Sequence, residues 1–354
     1  MTVPREFSQR AAQAARVFIP VVFALALASC AGNTAPPLPR LRVDPERVAV
    51  AGLSSGAYMA TQTHLAWSDR LRGAALVAGG PYGCANGSLD VALALCMTGT
   101  PAPARLAAKV RQRAASGALA RLAGLAGDRV YVLHGKRDAI VSASVSDAGA
   151  NVYAALAEEA GGMALRRDGD RDFGHVFPTV RDGVDCVGGG SPYLGACGFD
   201  AAGDALSWLF GKPPAAAAEA SGELLAFDQD RYLPSGEDAQ LSDRGFLYLP
   251  PACRAGEACG VLVVFHGCRQ NADAVGDAFA RNAGFNRWAD VHRVAVLYPQ
   301  TRSSYLPLNP KACWDWWGYS GPDYDTRRGV QQRWLAAAMA ALGAPLDGPP
   351  VGPR

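Results

Sequence analysis

Five short stretches of this chain are apolar at almost every position: Arg47-Val48-Ala49-Val50-Ala51, Gly73-Ala74-Ala75-Leu76-Val77-Ala78, Arg129-Val130-Tyr131-Val132-Leu133, Gly260-Val261-Leu262-Val263-Val264-Phe265 and Arg293-Val294-Ala295-Val296-Leu297-Tyr298. A strand with one wet face alternates apolar and polar residues, so these runs predict strands covered on both faces. Ala-rich segments at 104–126, 145–160, 201–210 and 328–342 read as helices between and after them. Strands separated by helical crossovers make a mostly parallel sheet, and the fold class is α/β. At 354 residues and 49% hydrophobic content the chain can bury one such core in a single domain. Only 19% of residues are charged and the formal net charge is +2, which argues against a nucleic-acid partner.

Ahead of the first strand, Arg5, Arg10 and Arg16 precede the apolar run 17–27, too short and interrupted to remain as a spanning helix. Residues 1–29 therefore read as a secretory signal. The run ends in Leu27-Ala28-Ser29-Cys30, which resembles the lipobox of bacterial lipoproteins, with Cys30 as the lipid attachment residue. The expectation is an exported protein anchored by Cys30 in a periplasm-facing or outer membrane, or secreted if Cys30 is not lipidated. Removing residues 1–29 takes away three Arg and one Glu and leaves a formal charge of zero, so no net charge steers the mature chain to a partner. Pro-rich residues 30–41 read as a tether, 42–345 as the catalytic domain and 346–354 as a tail.

Eight further cysteines remain, an even number suited to disulfides in an oxidising compartment. Spacing favours Cys84 with Cys96, Cys186 with Cys197 and Cys253 with Cys259, leaving Cys268 and Cys313, although spacing alone does not fix connectivity. No pair has C-x-x-C spacing and no His-x-x-x-His accompanies them, so no metal site and no cofactor are expected.

Gly52-Leu53-Ser54-Ser55-Gly56 follows the first apolar strand and precedes the helix-like Ala57-Tyr58-Met59-Ala60. This is the strand-turn-helix setting that a G-x-S-x-G nucleophile requires: a sharp turn exposes Ser54, flanking glycines relieve crowding, and the helix N-terminus favours a developing oxyanion. Of the five histidines, His64, His134, His266 and His292 sit on or beside regular elements. His175 stands in the loop Asp172-Phe173-Gly174-His175-Val176-Phe177-Pro178 and is the candidate base. Asp138, just after the strand 129–133, is the candidate orienting acid. Asp147 and Asp172 are weaker alternatives, one being helical and the other crowding His175. After the most apolar strand comes Phe265-His266-Gly267-Cys268-Arg269-Gln270, an HG-type loop of the kind that donates an oxyanion N–H in α/β-hydrolases. The donors would be Ser55 and Cys268. That loop normally precedes the nucleophile, whereas here it follows by some two hundred residues. The order implies a circularly permuted α/β-hydrolase with the old ends joined by the linker near 211–222.

Together with Cys313-Trp314-Asp315-Trp316-Trp317-Gly318-Tyr319, these motifs resemble the polyhydroxybutyrate depolymerase-like esterases, in the permuted branch without a separate substrate-binding domain. The resemblance implies a Ser54, Asp138 and His175 triad, an oxyanion hole of Ser55 and Cys268, and a Cys268–Cys313 disulfide. It implies a serine esterase that cleaves poly(3-hydroxybutyrate) or 3-hydroxyalkanoate oligomers. Trp316, Trp317 and Tyr319 are expected to contact this polyester substrate and Trp314 to fill core. Missing the separate polymer-binding domain bears on crystalline substrate. The same residues would serve an esterase of small or polysaccharide-linked feruloyl or acetyl esters, and the fold alone would serve a non-catalytic binding protein.

Overall fold

A computed structural model of the chain describes residues 35–213 and 215–348; the predicted signal and Cys30 lie outside the described residues. Eight strands form the main sheet: β1 (Val43–Leu53), β2 (Gly73–Val77), β3 (Arg129–Leu133), β4 (Ala164–Asp168), β5 (Glu223–Asp228), β6 (Arg244–Leu249), β7 (Cys259–Phe265) and β8 (Val294–Tyr298). Their order is β4-β3-β2-β1-β7-β8-β6-β5. Only β6 runs against the rest.

The apolar runs have a direct cause in this arrangement. Along β1, Val48 and Val50 pack with Phe265, Trp334 and Met339 on one face, while Ala49, Ala51 and Leu53 pack with Phe173, Leu206 and Phe285 on the other. Successive side chains point to opposite faces, and here both faces are core. The same split holds in β7, whose Val261 and Val263 face one layer and Leu262 and Val264 the other.

Sheet order also explains the unusual order of motifs. The first half of the chain builds β4 to β1, the second half builds β7 to β5, and the two halves meet where β1 pairs in parallel with β7. The elbow after β1 and the HG loop after β7 therefore lie side by side at the same end of the sheet, where parallel α/β sheets form their sites. The chain is an α/β-hydrolase-like fold whose first half in the usual order comes second here.

Helix α1 (Ser55–Ala66), which follows the elbow, is buried along its whole length, so it shows no polar face. His64 inside it is held by the Tyr153 hydroxyl and an Asp128 carboxylate oxygen, each at 3.0 Å, and belongs to the core. Some boundaries differ from the sequence expectations. The long helix expected over 104–126 ends at Ala115, where Gly117 takes φ 76° and turns the chain, and a short 3-10 turn follows at Leu122–Leu125. Part of the expected tether is packed: Leu38 is buried, its N–H donates to the Tyr232 hydroxyl, and the Leu41 N–H donates to the Leu342 carbonyl at 2.8 Å. Leu346, expected in the tail, is buried as well.

Candidate active site

The turn after β1 works because two glycines let backbone segments touch. A Cβ on Gly52 would stand 2.2 Å from the Gly56 carbonyl oxygen, and one on Gly56 would stand 2.2 Å from the Phe265 carbonyl oxygen. No larger residue fits either position. Between them Ser54 takes φ 56° and ψ −121°, a region that costs a non-glycine residue energy. It is pinned there by its own N–H donating to the Val77 carbonyl and by its carbonyl accepting from Ala57 and Tyr58.

Two further loops arrive zipped together. The Arg137 N–H donates to the Phe173 carbonyl, the Lys136 N–H to the Arg171 carbonyl, and Gly135 lies so near Phe173 that a Cβ would meet its oxygen at 2.0 Å. This pairing brings Asp138 against His175. The His175 Nδ1 stands 2.8 Å from Asp138 Oδ2, and its Nε2 stands 2.9 Å from Ser54 Oγ. An ionised carboxylate only accepts, so Nδ1 carries the proton and Nε2 is left to accept from the serine.

Asp138 is held in its charged form. Burial alone would push its carboxyl up, but the hydrogen bond and charge of His175 and the backbone N–H groups of Val141 and Ile140 hold it below the usual carboxylate range. His134 donates or accepts nothing to the triad at hydrogen-bond range; its Nε2 bonds the Val141 carbonyl at 2.8 Å and braces the loop behind Asp138. Neither weaker acid reaches His175: Asp147 pairs with Arg167 and Asp172 with Arg137.

Among the described residues no protein group accepts the backbone N–H of Ser55 or of Cys268, and both residues line one cavity with Ser54 and His175. The Cys268 N–H is aimed from behind. In a trans peptide the Gly267 carbonyl and the Cys268 N–H point opposite ways. His266 Nδ1–H donates to that carbonyl at 2.7 Å, the Gln270 N–H adds a second bond at 3.2 Å, and Gln270 Oε1 accepts the Gly267 N–H. The His266 Nε2 in turn accepts the Thr301 N–H at 3.2 Å. Both ring nitrogens are thus committed to one neutral tautomer, and burial pushes His266 down to about 4, partly offset by the Gly267 bond. Nothing in the sequence distinguishes this histidine from a motif marker; its role appears only once the carbonyl it faces is placed.

The cavity encloses about 310 Å³. Trp316 and Trp317 line it, with Trp316 stacked on Tyr58 at 4.4 Å between ring centroids. Asp315 builds the loop that presents them, accepting the N–H groups of Trp317, Gly318, Tyr319 and Ser320 and the Ser320 hydroxyl. Tyr319, expected against substrate, instead lies behind Trp317 and does not line the cavity. Its hydroxyl donates to the Cys313 carbonyl and accepts from Gln331 Nε2. Trp314 is fully buried in the core. The sequence reading misses Tyr58, Leu89, Leu93, Met97, Ile140 and Leu308, which complete the apolar walls. Tyr58 lies in the first turn of α1, its N–H donating to the Ser54 carbonyl, so its closeness to the serine in sequence was available as a signal.

All eight remaining cysteines are paired, as Cys84–Cys96, Cys186–Cys197, Cys253–Cys259 and Cys268–Cys313. The last joins the HG loop to the tryptophan loop, with 4.2 Å between its Cα atoms.

Comparison with known proteins follows the same lines. The family described as Esterase PHB depolymerase matches residues 244–337. A poly(3-hydroxybutyrate) depolymerase of Delftia acidovorans is 35% identical over 318 residues, covering 88% of this chain, while the chain spans only 61% of that protein's length. A polyhydroxybutyrate depolymerase of Talaromyces funiculosus is 33% identical over 328 residues, covering 88% of this chain and 94% of its own. The crystal structure of a PHB depolymerase from Penicillium funiculosum superposes with a TM-score of 0.79 at 31% identity, over 88% of this chain and 98% of that one. A serine-to-alanine form of a PHB depolymerase complexed with an R3HB trimer gives 0.78 at 31% identity, over 87% and 99%. With its fold and nearly nine-tenths of its length matched in this way, the chain belongs to the polyhydroxybutyrate depolymerase family.

Proposed function

We propose that this protein is a serine esterase that hydrolyses poly(3-hydroxybutyrate) or its oligomers through an acyl-enzyme. The observation that carries the reading is the chain Asp138, His175, Ser54 opening on an apolar cavity beside two backbone N–H groups that have no partner among the described residues. Ser54 Oγ attacks the ester carbonyl carbon while its proton passes to His175 Nε2. The carbonyl oxygen becomes an oxyanion that accepts from the Ser55 and Cys268 N–H groups, each worth about 3 kcal/mol in comparable sites. Collapse breaks the bond to the leaving alcohol, whose oxygen takes the proton from His175. Water, deprotonated by His175, then releases the 3-hydroxy acid and restores Ser54.

Substrate class follows from the walls. Trp316 and Trp317 offer apolar faces, and among the described residues no Asp or Glu lines the cavity, which suits repeating aliphatic esters. The relatives named for this polymer and the R3HB-trimer complex support the same substrate. The test is release of soluble 3-hydroxybutyrate and its oligomers from an amorphous poly(3-hydroxybutyrate) suspension, followed by mass spectrometry, with wild type beside Ser54→Ala. Release confined to the wild type is expected. Release by Ser54→Ala overturns the mechanism, and cleavage of short p-nitrophenyl esters without polymer release overturns the substrate.

Export and lipid anchoring at Cys30 belong to the same reading. They are supported by the run 17–27 ending in Leu27-Ala28-Ser29-Cys30 and by a catalytic domain in which eight cysteines are disulfide-bonded. Palmitate incorporation that persists in Cys30→Ser would refute the anchor.

A further inference from the structure

Two cations stand at the mouth of this apolar cavity. Arg269 and Lys311 are both exposed and both line it, and among the described residues neither side chain has a hydrogen bond or an ion pair. Some exposed arginines are paired, as Arg281 with Asp277 and Arg302 with Asp238, and others such as Arg105 and Arg121 are not among the described residues; what sets Arg269 and Lys311 apart is that both line the cavity. The two residues are also held next to each other. The Arg269 N–H donates to the Lys311 carbonyl at 2.7 Å, and the Cys268–Cys313 disulfide ties their segments together. Each segment is closed on itself: Gln270 clasps Gly267 on one side, and the Asn309 side chain bonds both the N–H and the carbonyl of Cys313 on the other. Arg269 occupies φ 59°, a left-handed conformation that few residues other than glycine adopt. An arginine at such a position, beside a lysine and next to Cys268, offers an anion at the cavity rim two cations on neighbouring backbone segments.

We propose that Arg269 and Lys311 form a carboxylate site, so that the enzyme favours oligoesters whose carboxylate end is free. The inference rests on the esterase reading above and names a feature of its substrate. Hydrolysis supplies the ligand: each cut adds water across an ester bond and leaves one new carboxylate and one new hydroxyl. After the first cut every soluble fragment carries an anion that the intact polymer has only at one terminus. Arg and Lys together would bind it by charge-assisted hydrogen bonds at the rim while the ester repeats lie along the tryptophans.

The experiment compares the (R)-3-hydroxybutyrate trimer as free acid with its methyl ester, on the full mature protein. At low ionic strength the free acid should show a KM about five-fold lower, the size expected of rim ion pairs, and the advantage should vanish at about 0.5 M salt. In the double variant Arg269→Gln with Lys311→Gln the ratio of kcat/KM for acid to ester should fall to about one. Should that variant fail to fold, the wild-type salt series alone decides. Equal KM values for the two trimers in wild type, or a preference that survives the double variant, would overturn the carboxylate site while leaving the esterase intact. Cleavage of neither trimer would overturn both.

Discussion

His266 never reaches the substrate, yet the direction of the Cys268 N–H depends on it. The imidazole holds the Gly267 carbonyl from one side, so the next N–H faces the cavity. Replacing it by Gln should lower kcat by about ten- to a hundred-fold, less than deleting an oxyanion donor outright, with little change in KM. Equal loss of KM and kcat would indicate general collapse of the site instead. The same residue sets a pH dependence. Unfolded, it takes a proton near 6.5, whereas folded it resists protonation down to about 4. More protons bind to the unfolded chain across that window, so stability is full above 6.5 and falls as pH drops towards 4. The window is worth roughly 3 kcal/mol at about 1.4 kcal/mol per unit. Thermal unfolding followed from pH 7 to 4 should be steeper in wild type than in His266→Gln; parallel curves would contradict this. Tyr319 teaches the reverse lesson. As one of a run of aromatics it reads as a substrate contact, but position in a motif does not reveal which way a side chain turns, and its hydroxyl is spent on Cys313 and Gln331.

At the scale of elements, legibility follows length and burial. The central strands are visible in the sequence because both faces are core over their buried stretches, as in residues 48–53 of β1 and along β7, which leaves those stretches without polar side chains. The short strands Phe177–Thr179, Val184–Asp185 and Leu194–Ala196 beside His175 carry two or three residues each, too few for any period to show. The elbow is legible for a different reason: its glycines mark backbone contacts that no other residue permits. Gly56→Ala would drive a Cβ into the end of β7, the strand that launches the HG loop. A destabilisation of about 3 kcal/mol by chemical denaturation is expected, with activity falling further than in Gly169→Ala, where a Cβ would meet nothing within 4 Å and φ is not positive. Similar losses for both would show that the close approach is unimportant. The Cys268–Cys313 bond works at this scale too. It closes a 45-residue interval, about 4 kcal/mol in the chain-entropy account, and it fixes the oxyanion loop to the loop of Trp316 and Trp317.

The whole molecule carries the permutation. Its halves occupy separate sides of one sheet and contribute separate parts of the site: Ser54, Asp138 and His175 from the first, Cys268 and the tryptophan loop from the second. Sequence order alone signals this, because an HG loop placed after the nucleophile has no other simple explanation. It does not show that the two outer segments of the described fold lie together, which the Leu41 to Leu342 backbone bond does. A variant opened within 211–222, with a short link joining residue 348 to residue 35, should therefore fold and retain esterase activity within about ten-fold. An insoluble or inactive product would contradict the equivalence of the two chain orders.

The central claim is that one serine, activated through His175, forms the covalent intermediate. It is tested most directly by treating the protein with a fluorophosphonate and mapping the adduct by peptide mass spectrometry. The predicted result is a single adduct on Ser54, strongly reduced in His175→Ala. Polyester cleavage persisting with Ser54 unmodified, or an adduct on another residue that tracks the loss of activity, would contradict it.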